Sequence, residues 1–358
     1  MTTTSLPSAT IIIGVDTHKD NHVAVAINEL GARVADCSLP ATPTGYQQLL
    51  AWSQTLGSLI TFGVEGTGSY GRGLATFLLQ QGCSVVEVCR PARTVSGQSA
   101  AKDDVIDAEK AARQVLSGQA TVTPKWADGQ VEMMRVIKIA RDTAVKAQSQ
   151  VLVALKSLLV TADETLRILL ESLPTTKLVA ACAELAVTTL DTPLAAMGYA
   201  LATMAQRWQM LHEEIEGHWE HLQRLTKQTA PVLTDACGIG PDTAAQMLIT
   251  FGDRGDRVRS EAGFAKLCGV CPIPASSGKT QRHRLNRGGN RQANAALFRV
   301  VIVRMRWHQP TKDYVARRTA QGLSKREILR CLKRYVAREI YRLIRQALPS
   351  QKVASANP

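Results

Sequence analysis

Short apolar runs rich in β-branched residues alternate with helix-period segments over the first third of the chain. Residues 11–15, Ile-Ile-Ile-Gly-Val, have the pattern of a buried strand. Residues 23–27 alternate like a second strand, and a turn at Glu29, Leu30 and Gly31 lets residues 33–39 pair back as a hairpin. Residues 44–55 then carry a helical period, 60–65 a strand pattern, 71–81 a helix, 84–88 a strand and 102–112 a helix.

From about residue 130 the period changes. Ile137, Ala144, Val151 and Leu158 recur every seven residues, and Ala140, Ala147 and Ala154 follow three positions after the first three. Met204, Trp208, Leu211, Ile215, His218, Leu222 and Leu225 repeat the four-then-three spacing. These are heptad seams, expected to form a coiled-coil arm that pairs with another arm or another subunit, with a break between residues 171 and 193. Residues 324–348 form a basic amphipathic helix with Ile328, Leu329, Leu332, Val336, Ile340 and Leu343 on its apolar side. The pattern divides the chain into an α/β domain at 1–125, a helical coiled-coil region at 126–228, a basic, mostly α-helical domain at 229–348 and a disordered tail at 349–358.

Four acids stand out against this framework. Asp16 lies at the end of the first strand and Glu65 closes the strand at 60–65, while Asp104 and Asp107 project from one face of the following helix. Three meandering strands followed by alternating helices and strands is the order of a ribonuclease H type sheet. Such a sheet gathers strand-end acids and helix acids at one edge. Any one of these carboxylates also fits a capping role. As a set they suit divalent cations, which prefer oxygen ligands and activate phosphodiester chemistry.

Charge changes the picture further along. The net charge of +13 is concentrated: residues 1–125 carry net −1, residues 126–252 net −4, and residues 253–346 net +17. A block of that density repels itself unless a polyanion neutralises it, so nucleic acid is the expected partner. Its opening, Gly238-Ile239-Gly240 before a helix, suits backbone approach to a phosphate, as in helix-hairpin-helix elements. No run of 18 apolar residues occurs and residues 1–10 lack a signal-peptide layout, which points to a cytoplasmic, nucleoid-associated protein without a membrane partner. The 8 dispersed cysteines are expected as reduced thiols.

Gly14-Val15-Asp16-Thr17-His18-Lys19, Val64-Glu65-Gly66-Thr67-Gly68-Ser69-Tyr70 and Lys102-Asp103-Asp104-Val105-Ile106-Asp107-Ala108 resemble the RuvC-like N-terminal domain of the DEDD insertion-sequence transposases of the IS one-ten family. The C-terminal half resembles that family's transposase domain through Gly238-Ile239-Gly240, residues 264–272, Ser277-Gly278 and Asn286-Arg287-Gly288-Gly289-Asn290. The resemblance implies a site-directed recombinase guided by a bridge RNA. It implies that Asp16, Glu65, Asp104 and Asp107 bind Mg²⁺ or Mn²⁺, and that Ser277, beside Ser276, is the nucleophile that links to DNA. In the family's motif the two acids lie two and five residues past a lysine, so the resemblance implies Asp104 and Asp107 and leaves Asp103 as a neighbour. Lys279, Arg282, Arg284 and Arg287 are then candidates to hold the phosphate, together with the backbone at Gly238 and Gly240. Donor and target DNA are the implied substrates, and a homodimer or homotetramer with composite sites is the implied assembly.

Two other functions fit the same residues: a metal-only, junction-resolving nuclease in which water replaces serine, and a non-catalytic nucleic-acid-binding protein on a decayed scaffold. Smaller signals carry less. Cys268-Gly269-Val270-Cys271 is a lone pair without the second pair of a zinc ribbon. His218 falls on the second seam, where a polar residue sets register. His18 stands two residues from Asp16, where it could orient a metal-bound water, and a hydrogen bond to a turn is the role expected first.

Overall fold

Alternation along the first strand decides how the N-terminal region is layered. In a computed structural model, which describes residues 10–57, 59–88, 103–126, 129–186, 189–253, 255, 257–275 and 283–348, β1 (Thr10–Thr17) is the central strand of a five-stranded sheet. It is followed by β2 (Asn21–Asn28), β3 (Arg33–Pro40), α1 (Pro43–Gln54), β4 (Leu59–Glu65), α2 (Arg72–Gln80), β5 (Ser84–Val88) and α3 (Asp104–Leu116). Strand order is β3-β2-β1-β4-β5: β1 pairs antiparallel with β2 and parallel with β4, β2 pairs antiparallel with β3, and β4 pairs parallel with β5. Each of these elements lies within a few residues of its place in the hydrophobic pattern. The sheet is mixed because the hairpin turns are short, while the β1–β4 pairing requires the crossover through β2, β3 and α1.

Ile11, Ile13 and Val15 point to one face, where they pack with Phe62 and Val64 against Leu49 of α1 and Leu74 and Leu78 of α2. Ile12 points to the other, where it joins Val25, Ile27, Ala108 and Ala112 under α3. Gly14 shares that second face. A Cβ there would stand 2.0 Å from the Ala108 carbonyl oxygen and 2.3 Å from the Ala112 nitrogen, so the helix backbone lies directly on the strand backbone. Helix α3 starts at the Asp103 cap, whose carboxylate accepts from the Val105 N–H.

The described residues fall into two compact units, the first containing this sheet together with the short stretch at 252–259, the second formed by 129–251 and the described residues from 260 onward. In the second unit α4 (Gln130–Val160), α5 (Glu164–Leu170), α6 (Thr175–Ala183), α7 (Pro193–Thr229), α8 (Pro231–Thr234), α9 (Pro241–Phe251) and α10 (Glu261–Leu267) precede a two-residue ladder of β6 (Ile273–Pro274) and β7 (His283–Arg284). Helices α11 (Arg291–Trp307), α12 (Gln309–Ala320) and α13 (Lys325–Ala347) follow.

The two heptad helices pair with each other inside this chain. Thr229 donates to the Gln130 side chain, Gln148 donates to the Trp208 carbonyl, and Leu155 and Leu159 pack with Leu201 and Ala205, so α4 and α7 run antiparallel. Helix α6 occupies the segment expected as a break. On α7 the seam is where the heptad put it, with Ile215, Leu222 and Leu225 buried. On α4 the buried stripe is displaced: Val131, Met134, Lys138, Leu155 and Leu159 are buried, and of the expected seam only Ala144 is. Toward the C-terminal end Leu155 and Leu159 turn into the cluster with Leu170, Leu178 and Leu201, and at Lys138 the reason is chemical. Lys138 is drawn in by Asp142 at 3.1 Å and Asp242 of α9 at 2.6 Å, an arrangement that apolar periodicity does not register. Helix α13 buries Ile328, Leu332, Val336, Ile340 and Ile344, and a reciprocal capping box of Ser324 and Glu327 opens it. The tail at 349–358 lies outside the described residues.

Candidate functional site

The acidic edge is assembled by strand register and by one glycine. Gly14 pairs with Gly63 and Val15 with Val64 across the parallel β1–β4 ladder, so Asp16 and Glu65 occupy the next rung on adjacent strands. Period-two alternation turns both toward the face that carries Gly14 and Gly63, the α3 face. Both are buried, Asp16 at 5% exposure and Glu65 at 8%. The Thr17 hydroxyl donates to the Glu65 carbonyl at 3.0 Å and ties the two strand ends together. Beyond them Gly66, in the left-handed region at φ 63°, turns the chain toward α2.

Helix α3 brings the third acid. Because its backbone rests on Gly14, its first turn reaches the end of β1, and Asp16, His18 and Asp104 place one donor atom each within 4.8 Å of one another. His18 Nε2 donates to Asp16 Oδ2 at 3.1 Å and lies 3.4 Å from Asp104 Oδ1. Two carboxylates and an imidazole in that space form a donor set that fits a divalent cation. Asp107 lies one turn along α3, where its carboxylate accepts from Lys110 at 2.7 Å. The cluster within 4.8 Å therefore contains Asp16 and Asp104 of the expected acids, Glu65 lies beside it on the next strand, and Asp107 is engaged with its own helix.

His18 makes contact with both the acids and the turn. Its ring bonds to the acids, and only its backbone N–H makes the turn contact, to Asn21. The signal was its position two residues past a strand-end acid, on the loop that leaves the sheet edge. His22, one turn further, faces the opposite side of the sheet and stacks on Tyr46 with ring centroids 5.8 Å apart; burial pushes its pKa below the ordinary 6.5.

In the helical unit, Ser276, Ser277, Lys279 and Arg282 lie outside the described residues. Arg284 is exposed on β7, and Arg287 is exposed in the loop that follows. Gly238 takes φ 79°, and a Cβ built on it would meet Val300, Val303 and Arg304 of α11 at 3.4 Å, so this glycine turns the chain close against that helix. Gly240 has open space around it. The α9 N-terminus carries Asp242, which accepts from Lys138, from Arg141 at 3.3 Å and from Arg299 at 2.9 Å. Arg304 is buried, donating to the Cys237 carbonyl and bidentately to Glu339. Burial pushes the Cys268 thiol up to about 12, and Cys271 Sγ accepts from Asn286 at 3.2 Å.

Comparison with known proteins bears on both units. Residues 13–162 match the DEDD transposases of the IS110 type, described as transposase, and residues 230–316 match the transposase IS116/IS110/IS902 family. The chain is also similar to a protein of Streptomyces coelicolor described as the insertion element IS110 uncharacterized 43.6 kDa protein, at 28% identity over 158 residues. That alignment covers 44% of this chain and 38% of the relative, so the match spans well under half of the relative's length. No described helix is long and apolar enough to cross a membrane.

Proposed function

Since this chain belongs to the IS110 family of transposases, we propose that it cuts and rejoins the DNA strands of an insertion sequence, with Ser277 as nucleophile and Mg²⁺ or Mn²⁺ held at the acidic edge. The observation that carries this reading is the convergence of Asp16, His18 and Asp104 at the end of β1 with Glu65 on the neighbouring strand. The strand order agrees with a ribonuclease H type, RuvC-like scaffold for those acids. A bound divalent ion would neutralise charge developing on the phosphate oxygens and lower the pKa of a hydroxyl brought beside it.

The chain's own groups have the following parts. Asp16 and Asp104 would hold the ion, with Glu65 added from β4, and His18 fixes the orientation of the Asp16 carboxylate through the 3.1 Å hydrogen bond. Asp107, paired with Lys110 on the exposed side of α3, would be the fourth acid of the set. The Ser277 oxygen attacks phosphorus and gives up its proton; a phosphoserine ester forms, and the bond to the leaving sugar oxygen breaks as that oxygen takes up a proton. The ester keeps the bond energy, so a second DNA end can reverse the step and reseal the strand. Lys279, Arg282, Arg284 and Arg287 balance the phosphate charge. A bridge RNA selects donor and target by base pairing, and the acidic and serine-bearing domains act in composite sites of a dimer or tetramer in the cytoplasm, at the nucleoid.

Trapping tests the reading. Incubation with DNA carrying the ends of the insertion sequence and Mg²⁺ should give a denaturation-resistant protein–DNA adduct that Ser277→Ala abolishes and Ser276→Ala retains. Cleavage that survives Ser277→Ala would replace it with the metal-only nuclease.

A further inference from the structure

The helical unit contains a cavity of about 340 Å³ whose lining includes Arg287, Gly288, Gly289, Arg291, Phe298 and Lys333. One side of it is backbone at Gly288 and Gly289, packed on the loop at Gly269. Gly269 and Gly289 both take left-handed φ, 67° and 89°, and a Cβ on either would come within 2.6 Å of the other strand's backbone, so the two loops cross in direct contact. The Asn290 N–H bonds to the Leu267 carbonyl at 2.7 Å, while the Asn290 side chain caps α11 by accepting from Gln292 and Ala293. The backbone along one side of the cavity, at Gly288, Gly289 and Asn290, is therefore fixed by close packing and hydrogen bonds.

The charge on its walls is uncompensated. Elsewhere in this unit Arg299, Arg304, Arg334 and Arg338 are each ion-paired, to Asp242, Glu339 and Glu261. Among the described residues, Arg287, Arg291 and Lys333 have no carboxylate partner. Lys333 is half-buried on α13 and is held in place by donating to Asn294 Oδ1 at 2.8 Å, while Asn294 is itself fixed by donating to the Cys268 and Gly269 carbonyls. A neutral amide thus positions an ammonium that burial and neighbouring Arg330 disfavour. Holding an unpaired cation in that place costs stability unless an anion completes it. The volume lies at the low end of the roughly 300–1,000 Å³ of ligand sites. Phe298, 42% exposed, adds a flat apolar face at the wall.

We propose that this cavity binds one phosphodiester group of a DNA strand, with Arg287, Arg291 and Lys333 around the phosphate, Asn294 as the positioning residue for Lys333, and the adjoining base stacked on Phe298. DNA is the occupant because β7 runs covalently into the cavity wall at Leu285, and the β6–β7 ladder brackets the segment that carries Ser277. In this respect the assignment rests on the recombinase reading above.

The test is fluorescence anisotropy of the full chain with labelled single-stranded DNA, and with RNA of the same sequence, across a salt series. Lys333→Met should weaken DNA binding about tenfold and make the log–log salt slope shallower by about 0.7, the value for one single-strand phosphate contact. Arg291→Gln should do the same and serves if Lys333→Met misfolds. Phe298→Ala should weaken binding while leaving the slope unchanged. Affinity and slope unchanged in both cation variants, or a loss no larger than that of the remote exposed Lys177→Met, would overturn the proposal. Loss on RNA alone would overturn the DNA assignment, and equal loss on both supports the shared phosphodiester chemistry. A chain with a Lys333-dependent slope but no serine adduct keeps the cavity and loses the recombinase reading; an adduct with an unchanged slope does the reverse.

Discussion

Gly14 does more to place the acids than any carboxylate does. With Ala108 and Ala112 backbone atoms at 2.0 and 2.3 Å from where a Cβ would stand, Gly14→Ala has to lift α3 from β1. The expected cost is about 1–3 kcal/mol of stability, the usual penalty for overpacking. Divalent-metal affinity should fall further than stability does, because Asp104 moves with the helix while Asp16 stays with the strand. Urea unfolding beside calorimetric titration of Mn²⁺ separates the two effects; a variant that loses stability but binds the ion as the parent does would contradict this geometry. Gly14 was visible in sequence only as an interruption of an apolar run, since a missing side chain leaves no pattern of its own. His18 was legible as a neighbour of Asp16, but which of its bonds would form depended on where α3 begins.

At the scale of elements, ion pairs hold the helical unit together where apolar seams do not. Arg304 of α11 reaches Glu339 of α13 bidentately and the Cys237 carbonyl before α9, joining three parts of the chain through one guanidinium. The hydrogen bond from Arg304, with its positive charge, holds the Glu339 carboxyl below its ordinary 4.5. A depressed carboxylate contributes stability that is fully present above about pH 4.5 and is lost as pH falls through the folded-state value. Glu339→Gln should therefore cost about 1 kcal/mol at pH 7, a value kept low because the Glu339 side chain is 41% exposed and solvent screens the pair. The same variant should narrow the stability gap between pH 7 and pH 4. Urea midpoints at the two pH values check both, and a gap as wide as in the parent would show that Glu339 does not carry the effect. Helix α4 is a related case: of its expected seam only Ala144 is buried, while Lys138 is drawn in by its acids.

For the whole molecule, the separation of charge predicts a separation of roles. The acids lie in a region of net −1 and the basic surplus of +17 lies in residues 253–346, so binding and chemistry should be independently removable. Asp16→Asn is expected to retain DNA affinity within about twofold, since its charge is local and buried, and to abolish the serine adduct in Mg²⁺. Anisotropy and denaturing electrophoresis on the same preparation measure the pair of outcomes. A large loss of affinity in Asp16→Asn would mean that DNA contacts the acidic edge in the bound ground state.

By itself the sequence determined the strands and helices of the α/β region, the positions of Asp16, Glu65, Asp104 and Asp107 on them, and the concentration of cations in the C-terminal third. Those features follow from local period and composition, which act over a few residues at a time. Tertiary structure decided which of them meet. Register across β1 and β4 and the contact of α3 with Gly14 gathered Asp16, His18 and Asp104 within 4.8 Å and put Glu65 on the adjoining strand, while Asp107 turned to Lys110. It also brought Lys333 to Arg287 and Arg291 across more than forty residues of chain, around a cavity lined in part by Gly288 and Gly289, which pack on the loop at Gly269. No local period encodes that meeting, because it depends on backbone contact and on hydrogen bonds from Asn294, neither of which repeats along the chain.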